Sequence, residues 1–557
     1  MGKKVFSVVV TLLLVASSSF TVLGKSVTEQ DGPEIHFNST VVDSHVDTLS
    51  QAVDSTTWLP KTDIGEETSF DFDIPKAQSG GLDAPFLAAY TSGYYGNNPR
   101  SISRTLALIN ALYWTEERNS DNLSITTSVE EIEETVHDGK IAAIPSIEGG
   151  YSLEEHNAIE LLHQYDDLGI MALGFTWNYS NALGEGANRE YGDPDRTPSE
   201  GGLTELGKEV AKEMNKMGMA IDVSHMSRNT FWDVMDVTEA PVIATHSGVN
   251  ALRDHQRNLT DEQLKALAEN GGVIGIVFYP VFLKDESPAY IQDVVDHIDH
   301  AVDVMGIDHV AIGSDFDGAS MPEDLKDSSE LYKVTDELIR RGYSDEDIEK
   351  LLGKNTLRVL KEVEEAAEYA PKNVDTGLTI TPAYEMGEII QSNLPLLTAK
   401  IESEEGVNID ESRFRVIVDG MAYQPVYDSA ESTLSLQLTE PLSERFHVVT
   451  FEAANSEGKI QRETSIFYVE ASTANMKRHV SHFHEEGEIG TDDAARSLAV
   501  HLTAVGRYEE QDAAEKIVKH MEGFQSLLDY QQENDLISEK AYNILNHDAE
   551  FLIEYWQ

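Results

Sequence analysis

Short runs of β-branched and small apolar residues alternate with amphipathic stretches from about residue 40 to residue 370. Eight such runs predict strands at 40–44, 82–90, 141–147, 170–175, 219–223, 241–245, 272–278 and 309–313. Between them, 102–118, 204–218 and 261–271 carry apolar residues at three- and four-residue spacing, which predicts helices. The last two end at Gly218 and Gly271, residues suited to a helix C-terminus. Strand and helix in alternation argue for a parallel α/β fold. Eight repeats make a closed TIM-like (β/α)8 barrel the economical solution, since closure leaves no edge strand. An open doubly wound sheet is the alternative, but no glycine-rich phosphate loop follows the first strand.

The pattern changes twice more. Residues 376–470 hold alternating runs such as RFRVIVDG, STLSLQLT and FHVVTFEAAN with polar turns between them, the signature of a small antiparallel Ig-like β-sandwich. From residue 475 the spacing is helical to the end, enough for three or four helices. The expected organisation is therefore a leader (1–24), a polar, extended lead-in (25–40), a barrel (25–372), a sandwich (373–472) and an α-helical C-terminal module (473–557). A polar stretch rich in glycine and proline, 178–202, is too long for an ordinary βα connection and is expected to form a flap.

Composition narrows the setting. Lys3 and Lys4 precede an apolar run to Ala16 and then small residues, as in a secretory signal peptide; a retained N-terminal anchor is the alternative. No later stretch is long and apolar enough to span a membrane. The expected location is secreted, extracellular or cell-surface associated. With no cysteine, disulfides and thiolate ligands are excluded, so a metal would be held by His, Asp and Glu, a set that suits zinc. With 99 acidic and 41 basic residues the formal net charge is −58, which repels nucleic acid and anionic lipid.

The predicted strand ends carry the chemistry. The first run, TVVDSHVDT, ends in His45 and Asp47, two residues apart and on one side of an extended backbone. The third ends in Glu148, the fifth and sixth in His225 and His246, and the eighth in Asp315. A lone histidine of this kind is ordinarily a satisfied core residue. Six ligand-type groups at one rim are not, because buried carboxylates are costly unless paired or metal-bound. Six groups exceed what one catalytic zinc takes, so the set suits two metals. Glu148 is the candidate bridge, His45 and Asp47 complete one site, and His225 and His246 the other. His479, His482 and His484 also cluster in sequence, but no acidic set closes a coordination sphere and they fit one helix face.

The ordered motifs DSHVDT, SIEGG, DVSHMS, THSGV followed by Arg257-Asn258, and GSDFDG resemble the membrane dipeptidase family of zinc metallopeptidases, in the amidohydrolase superfamily, over about residues 35–365. The resemblance implies a dinuclear zinc site on the five ligands above, Asp315 as acid/base, and Arg257 as the holder of a dipeptide's free carboxylate. It also marks a departure: Trp177 stands where mammalian members have a histidine that steadies the reaction intermediate, leaving that role to the metals or to His255, beside Arg257. Two other readings stay open, a lactonase or ester hydrolase on the same barrel and a non-catalytic surface protein. The C-terminal modules are expected to contact cell wall or protein partners, and a homodimer is left open.

Overall fold

The computed structural model describes residues 32–188, 201–285, 288–369 and 374–557. The leader, residues 25–31 of the lead-in and the middle of the 178–202 loop lie outside the described residues. The rest of the lead-in is not all extended: a short helix, Glu34–Asn38, starts directly after Pro33, which suits a helix start because it needs no amide partner.

Among the described residues nine parallel strands follow: β1 (Val42–Val46), β2 (Ala84–Tyr90), β3 (Leu123–Ile125), β4 (Ile141–Glu148), β5 (Ala172–Gly174), β6 (Ala220–Asp222), β7 (Ile243–Ser247), β8 (Val273–Ile276) and β9 (Val310–Ile312). Their order is β2-β1-β9-β8-β7-β6-β5-β4, and a β2–β4 pairing closes the eight into a barrel. The remaining strand, β3, is not among the eight expected. It pairs with the first half of β4 (Leu123↔Ile141), while β2 takes the second half (Phe86↔Ile144 to Tyr90↔Glu148). An eight-residue strand thus has room for two partners on one edge, and three residues are too few to show a period in the sequence. The strand expected at 241–245 begins two residues late. Pro241 has no amide to give, and the Val242 amide is taken by Asn270 Oδ1 at 2.8 Å.

Along β4 the same-face residues run Ala142, Ile144, Ser146, Glu148, from apolar to charged. Ala142 and Ile144 belong to an apolar cluster with Ala84, Ala220, Ile243, Val273 and Ala311, and Leu357, Leu360 and Val363 of helix Asn355–Glu365 close it. The strand beginnings are therefore sealed with hydrocarbon, and polar groups collect at the strand ends. Helices Pro99–Asn119 and Glu205–Met217 lie where the sequence predicts them, the second stopped by Gly218 at φ 80°.

The C-terminal part holds two sheets. β10 (Leu378–Pro382), β12 (Leu396–Ser403), β16 (Thr433–Gln437) and β15 (Val426–Asp428) form one. The other is β11 (Glu388–Ile390), β18 (Ile460–Val469), β17 (Phe446–Ala454), β13 (Arg415–Val418) and β14 (Met421–Tyr423), with only β11–β18 parallel. β17 is buried along its whole length. Val449, Phe451 and Ala453 enter the sandwich core, whereas Phe446 and Val448 join the barrel's apolar cluster. On that barrel-facing side Thr450 Oγ1 accepts from Gln164 Nε2 at 3.0 Å.

Four helices, Thr473–Glu485, Asp492–Glu509, Ala514–Glu533 and Glu539–Tyr555, pack around their own core. Arg445, just before β17, meets Asp548 of the last helix at 2.5 Å, and His479 reaches Asp548 from the other side at 3.1 Å. Against burial, which alone would raise it, Arg445 and His479 hold the Asp548 carboxyl well below the usual range. His482 and His484 turn instead to Glu486 and Asp492, so the three histidines do not converge. Glu554 accepts a hydrogen bond from Thr56, in the loop after β1.

Candidate active site

Each expected site residue sits at or just past the C-terminal end of a barrel strand or in the loop that follows. His45 and Glu148 lie within β1 and β4, His246 within β7, and Asp47 one residue past β1. His225 and Asp315 stand beyond β6 and β9 with φ of 66° and 68°. These are left-handed conformations that residues other than glycine rarely adopt, and both side chains reach the cluster at the barrel mouth. Asp47 and Asp315 both lie against Gly318: a Cβ there would come 2.1 Å from Asp47 Oδ2 and 2.3 Å from Asp315 Oδ1, so a side chain at this position would displace the two carboxylates.

The side chains converge. His45, Asp47 and Glu148 form one group able to hold a metal, and Glu148, His225 and His246 another, with Glu148 common to both. Asp315 groups with His45 and His246. His45 Nε2 is 3.4 Å from Asp47 Oδ2 and 3.5 Å from Glu148 Oε2. His225 Nε2 is 2.8 Å and His246 Nε2 3.6 Å from Glu148 Oε1. The His45 and His246 rings stack at 3.7 Å.

The hydrogen-bond partners of these residues show whether they fit a metal. His225 Nδ1 faces Asn178 Oδ1 at 2.8 Å, an atom that can only accept, so the ring proton is on Nδ1. His246 Nδ1 faces Thr245 Oγ1 at 2.9 Å, and that hydroxyl gives its own proton to Asp222 Oδ2 at 2.7 Å. His246 is therefore also protonated at Nδ1. The two Nε2 lone pairs then confront each other at 2.8 Å with no proton between them, which calls for a cation. His45 Nε2 and Asp47 Oδ1 are likewise buried without a hydrogen-bond partner. The donor set fits a metal.

Electrostatics agree. Burial, followed by the cationic neighbours Arg257 and His45, keeps His225 well below the ordinary imidazole range, and His246 is depressed in the same way. Neutral imidazole is the ligand form. Burial pushes Glu148 up to about 7, with the Asp47 charge adding to it. Burial, and next Asp47, holds Asp315 well above the carboxylate range. Burial would depress His45, but Asp47 and Glu148 hold it well above its ordinary value. Several carboxyls share this space and ionise together only beside a cation, which protonated His45 or a metal ion in its place supplies.

Arg257 is 3% exposed. Its Nη2 donates to the His246 carbonyl at 3.0 Å, its Nε has no partner, and no carboxylate of the described residues pairs with it. Burial lowers it to about 10. His255 packs on Phe282 at 4.6 Å and accepts the Arg257 amide at 3.2 Å. Asn258 spends its side chain on backbone, accepting from Gly248 and donating to Arg253 and Phe282. Trp177 lies 5.4 Å from the Tyr90 ring and 6.0 Å from the His225 ring. Sequence reasoning missed Asn178, Asp222, Thr245 and Asp43. The last is buried at β1, where its Oδ1 accepts from the Ser314 and His45 amides. A carboxylate within an apolar run was the available signal for Asp43 and Asp222.

The sequence model of the membrane dipeptidase family, peptidase family M19, matches residues 30–374. The chain belongs to that family. A FIMAH domain matches 473–554. The chain is 33% identical to dipeptidase tcpJ of Claviceps purpurea over 53% of this chain and 70% of that protein. It is 38% identical to an uncharacterised protein in the pqqA 5′ region of Klebsiella pneumoniae, over 44% of this chain and 90% of that one. Among solved structures, a Rhodobacter sphaeroides metallopeptidase liganded with a phosphinate mimic of L-Ala-D-Ala aligns at TM-score 0.51 and 27% identity, covering 58% of this chain and 99% of its own. As a member of the membrane dipeptidase family the chain is a metallo-dipeptidase that hydrolyses dipeptides, and its buried His and Glu clusters are consistent with the family's metal site.

Proposed function

We propose that the chain is a secreted dinuclear zinc dipeptidase in which Glu148 bridges the metals, His45 and Asp47 complete one site, and His225 and His246 complete the other. The observation that carries this reading is the pair of bare Nε2 atoms, His225 and His246, aimed together at Glu148 Oε1. When bound, the metals would supply Lewis acidity toward water and the scissile carbonyl. Asp315, whose burial favours a shared proton, takes the proton of the attacking water and returns it to the leaving amine. Arg257 presents a planar fork with no carboxylate partner among the described residues, suited to the substrate's C-terminal carboxylate. A free carboxylate held there selects dipeptides over long chains. Secretion rests on the leader's charged start and apolar run.

The test joins metal analysis to a panel of dipeptides and lactones with and without a chelator. Two zinc per chain and chelator-sensitive dipeptide turnover are expected. Asp315→Asn should keep both metals and lose about 10²–10⁴-fold in kcat. Near-normal turnover in that variant would remove Asp315 as the acid/base.

A further inference from the structure

The two histidines that face each other across the site are backed by different partners. His246 Nδ1 rests on Thr245, whose hydroxyl leads to the Asp222 carboxylate, and Asp222 Oδ1 is itself fixed by the Ser224 and Thr245 amides at 2.9 and 3.0 Å. This relay lies on β6 and β7, inside the barrel wall. His225 is held differently. Its Nδ1 meets Asn178 Oδ1, a neutral amide on the loop after β5.

That loop is tied to the same histidine twice more. Thr176 Oγ1 and the Ala187 amide both donate to the His225 carbonyl, at 3.3 and 2.9 Å. The Asn178 carbonyl accepts from the Asn188 amide at 2.6 Å, closing the loop on itself. Trp177 stands between, tilted 34° to the His225 ring. His225 has a positive φ and stands beyond the end of β6; Thr176 and Ala187 hold its backbone, and of this loop's hydrogen bonds among the described residues only that of Asn178 reaches its ring.

We infer that Asn178 is a positioning residue for the metal centre: its side-chain carbonyl fixes the proton of His225 on Nδ1 and so presents Nε2 to the metal, as the Asp222–Thr245 relay does for His246. A partner that accepts from the distal ring nitrogen sets both tautomer and ring orientation and raises ligand basicity, and losing one typically weakens metal binding by about 10–100-fold. The inference rests on the metal site proposed above and adds two features to it. The ring of one metal ligand is hydrogen-bonded to the loop after β5, and the two histidines are backed differently, one by an amide and the other by a hydroxyl that donates to a carboxylate.

The full-length chain, stripped of metal and titrated with zinc against a competing chelator, tests this without any activity measurement. Asn178→Leu keeps approximate size but cannot accept a proton, and zinc should bind about 10–100-fold more weakly. Asn178→Asp keeps the shape and adds charge, and zinc should bind no more weakly than to the parent chain. Thr245→Val should match the Leu variant and Thr245→Ser should restore binding. Parent-like zinc affinity in Asn178→Leu would overturn the inference, and so would equal weakening in Leu and Asp variants, which would mean that Asn178 only packs the loop. Should the Leu variant fail to fold in the apo state, Asn178→Ala against Asn178→Asp decides in the same way. A parent chain that bound no zinc would instead sink the proposed function.

Discussion

Arg257 illustrates what one residue does when its surroundings leave it incomplete. A guanidinium with its Nε unmatched and buried is an unfavourable state that a carboxylate relieves, and charge-assisted hydrogen bonds of this kind contribute about 1.5–3 kcal/mol. Arg257→Ala should therefore raise KM for dipeptides on the order of 10–100-fold, with kcat less affected; an unchanged KM in steady-state assays would show that the carboxylate is read elsewhere. At this scale the sequence is legible where spacing encodes direction. His45 and Asp47 share a face because an extended chain alternates, and no fold is needed to see it. Asn178 was invisible, since nothing in FTWNYSN says which amide will turn inward. The positive φ of His225 and Asp315 was equally hidden, because neither residue type advertises that conformation as glycine would.

Among elements, the clearest departures from sequence come where an edge or a junction is shared. β3 is short and appears only because β4 outruns β2. The sandwich strands follow the alternation of the sequence, yet β17 is buried on both faces because one lies against the barrel. Where β17 begins, Glu444 is buried beside Arg445, its Oε2 without a partner, and burial raises its pKa to about 7 despite Arg445 and Arg100. A carboxyl whose folded pKa exceeds its ordinary value of 4.5 holds its proton more tightly when folded. Its contribution to stability is full below 4.5 and lost as pH rises through about 7. Glu444→Gln should leave the unfolding free energy nearly unchanged near pH 5 and raise it by about 2–3 kcal/mol above pH 8. A difference that did not vary with pH in denaturant titrations would contradict this account.

For the molecule as a whole, a net charge of −58 sets a repulsion that no single contact offsets. Exposed charges are screened within about 3 Å at molar salt and about 30 Å at 0.01 M. The thermal midpoint should therefore climb between the low-salt and the molar condition; a midpoint indifferent to salt would mean that the acidic surface is already neutralised in the folded chain. The barrel itself was legible because eight alternations of strand and helix leave few other closures. How the C-terminal modules dock was not, since buried partners such as Arg445 and Asp548 read in sequence as ordinary surface charges. Arg445 and His479 are both turned inward, onto Asp548 of the last helix.

The two-faced β17 also orders events in time. Gln164 of helix Ala158–Asp167 finds its partner Thr450 only 286 positions later in the chain. A barrel emerging from the ribosome has one flank bare until Ala454 has followed it. The apolar surface that packs against Phe446 and Val448 stays uncovered during that interval, although β17 contributes nothing to the chemistry of the site.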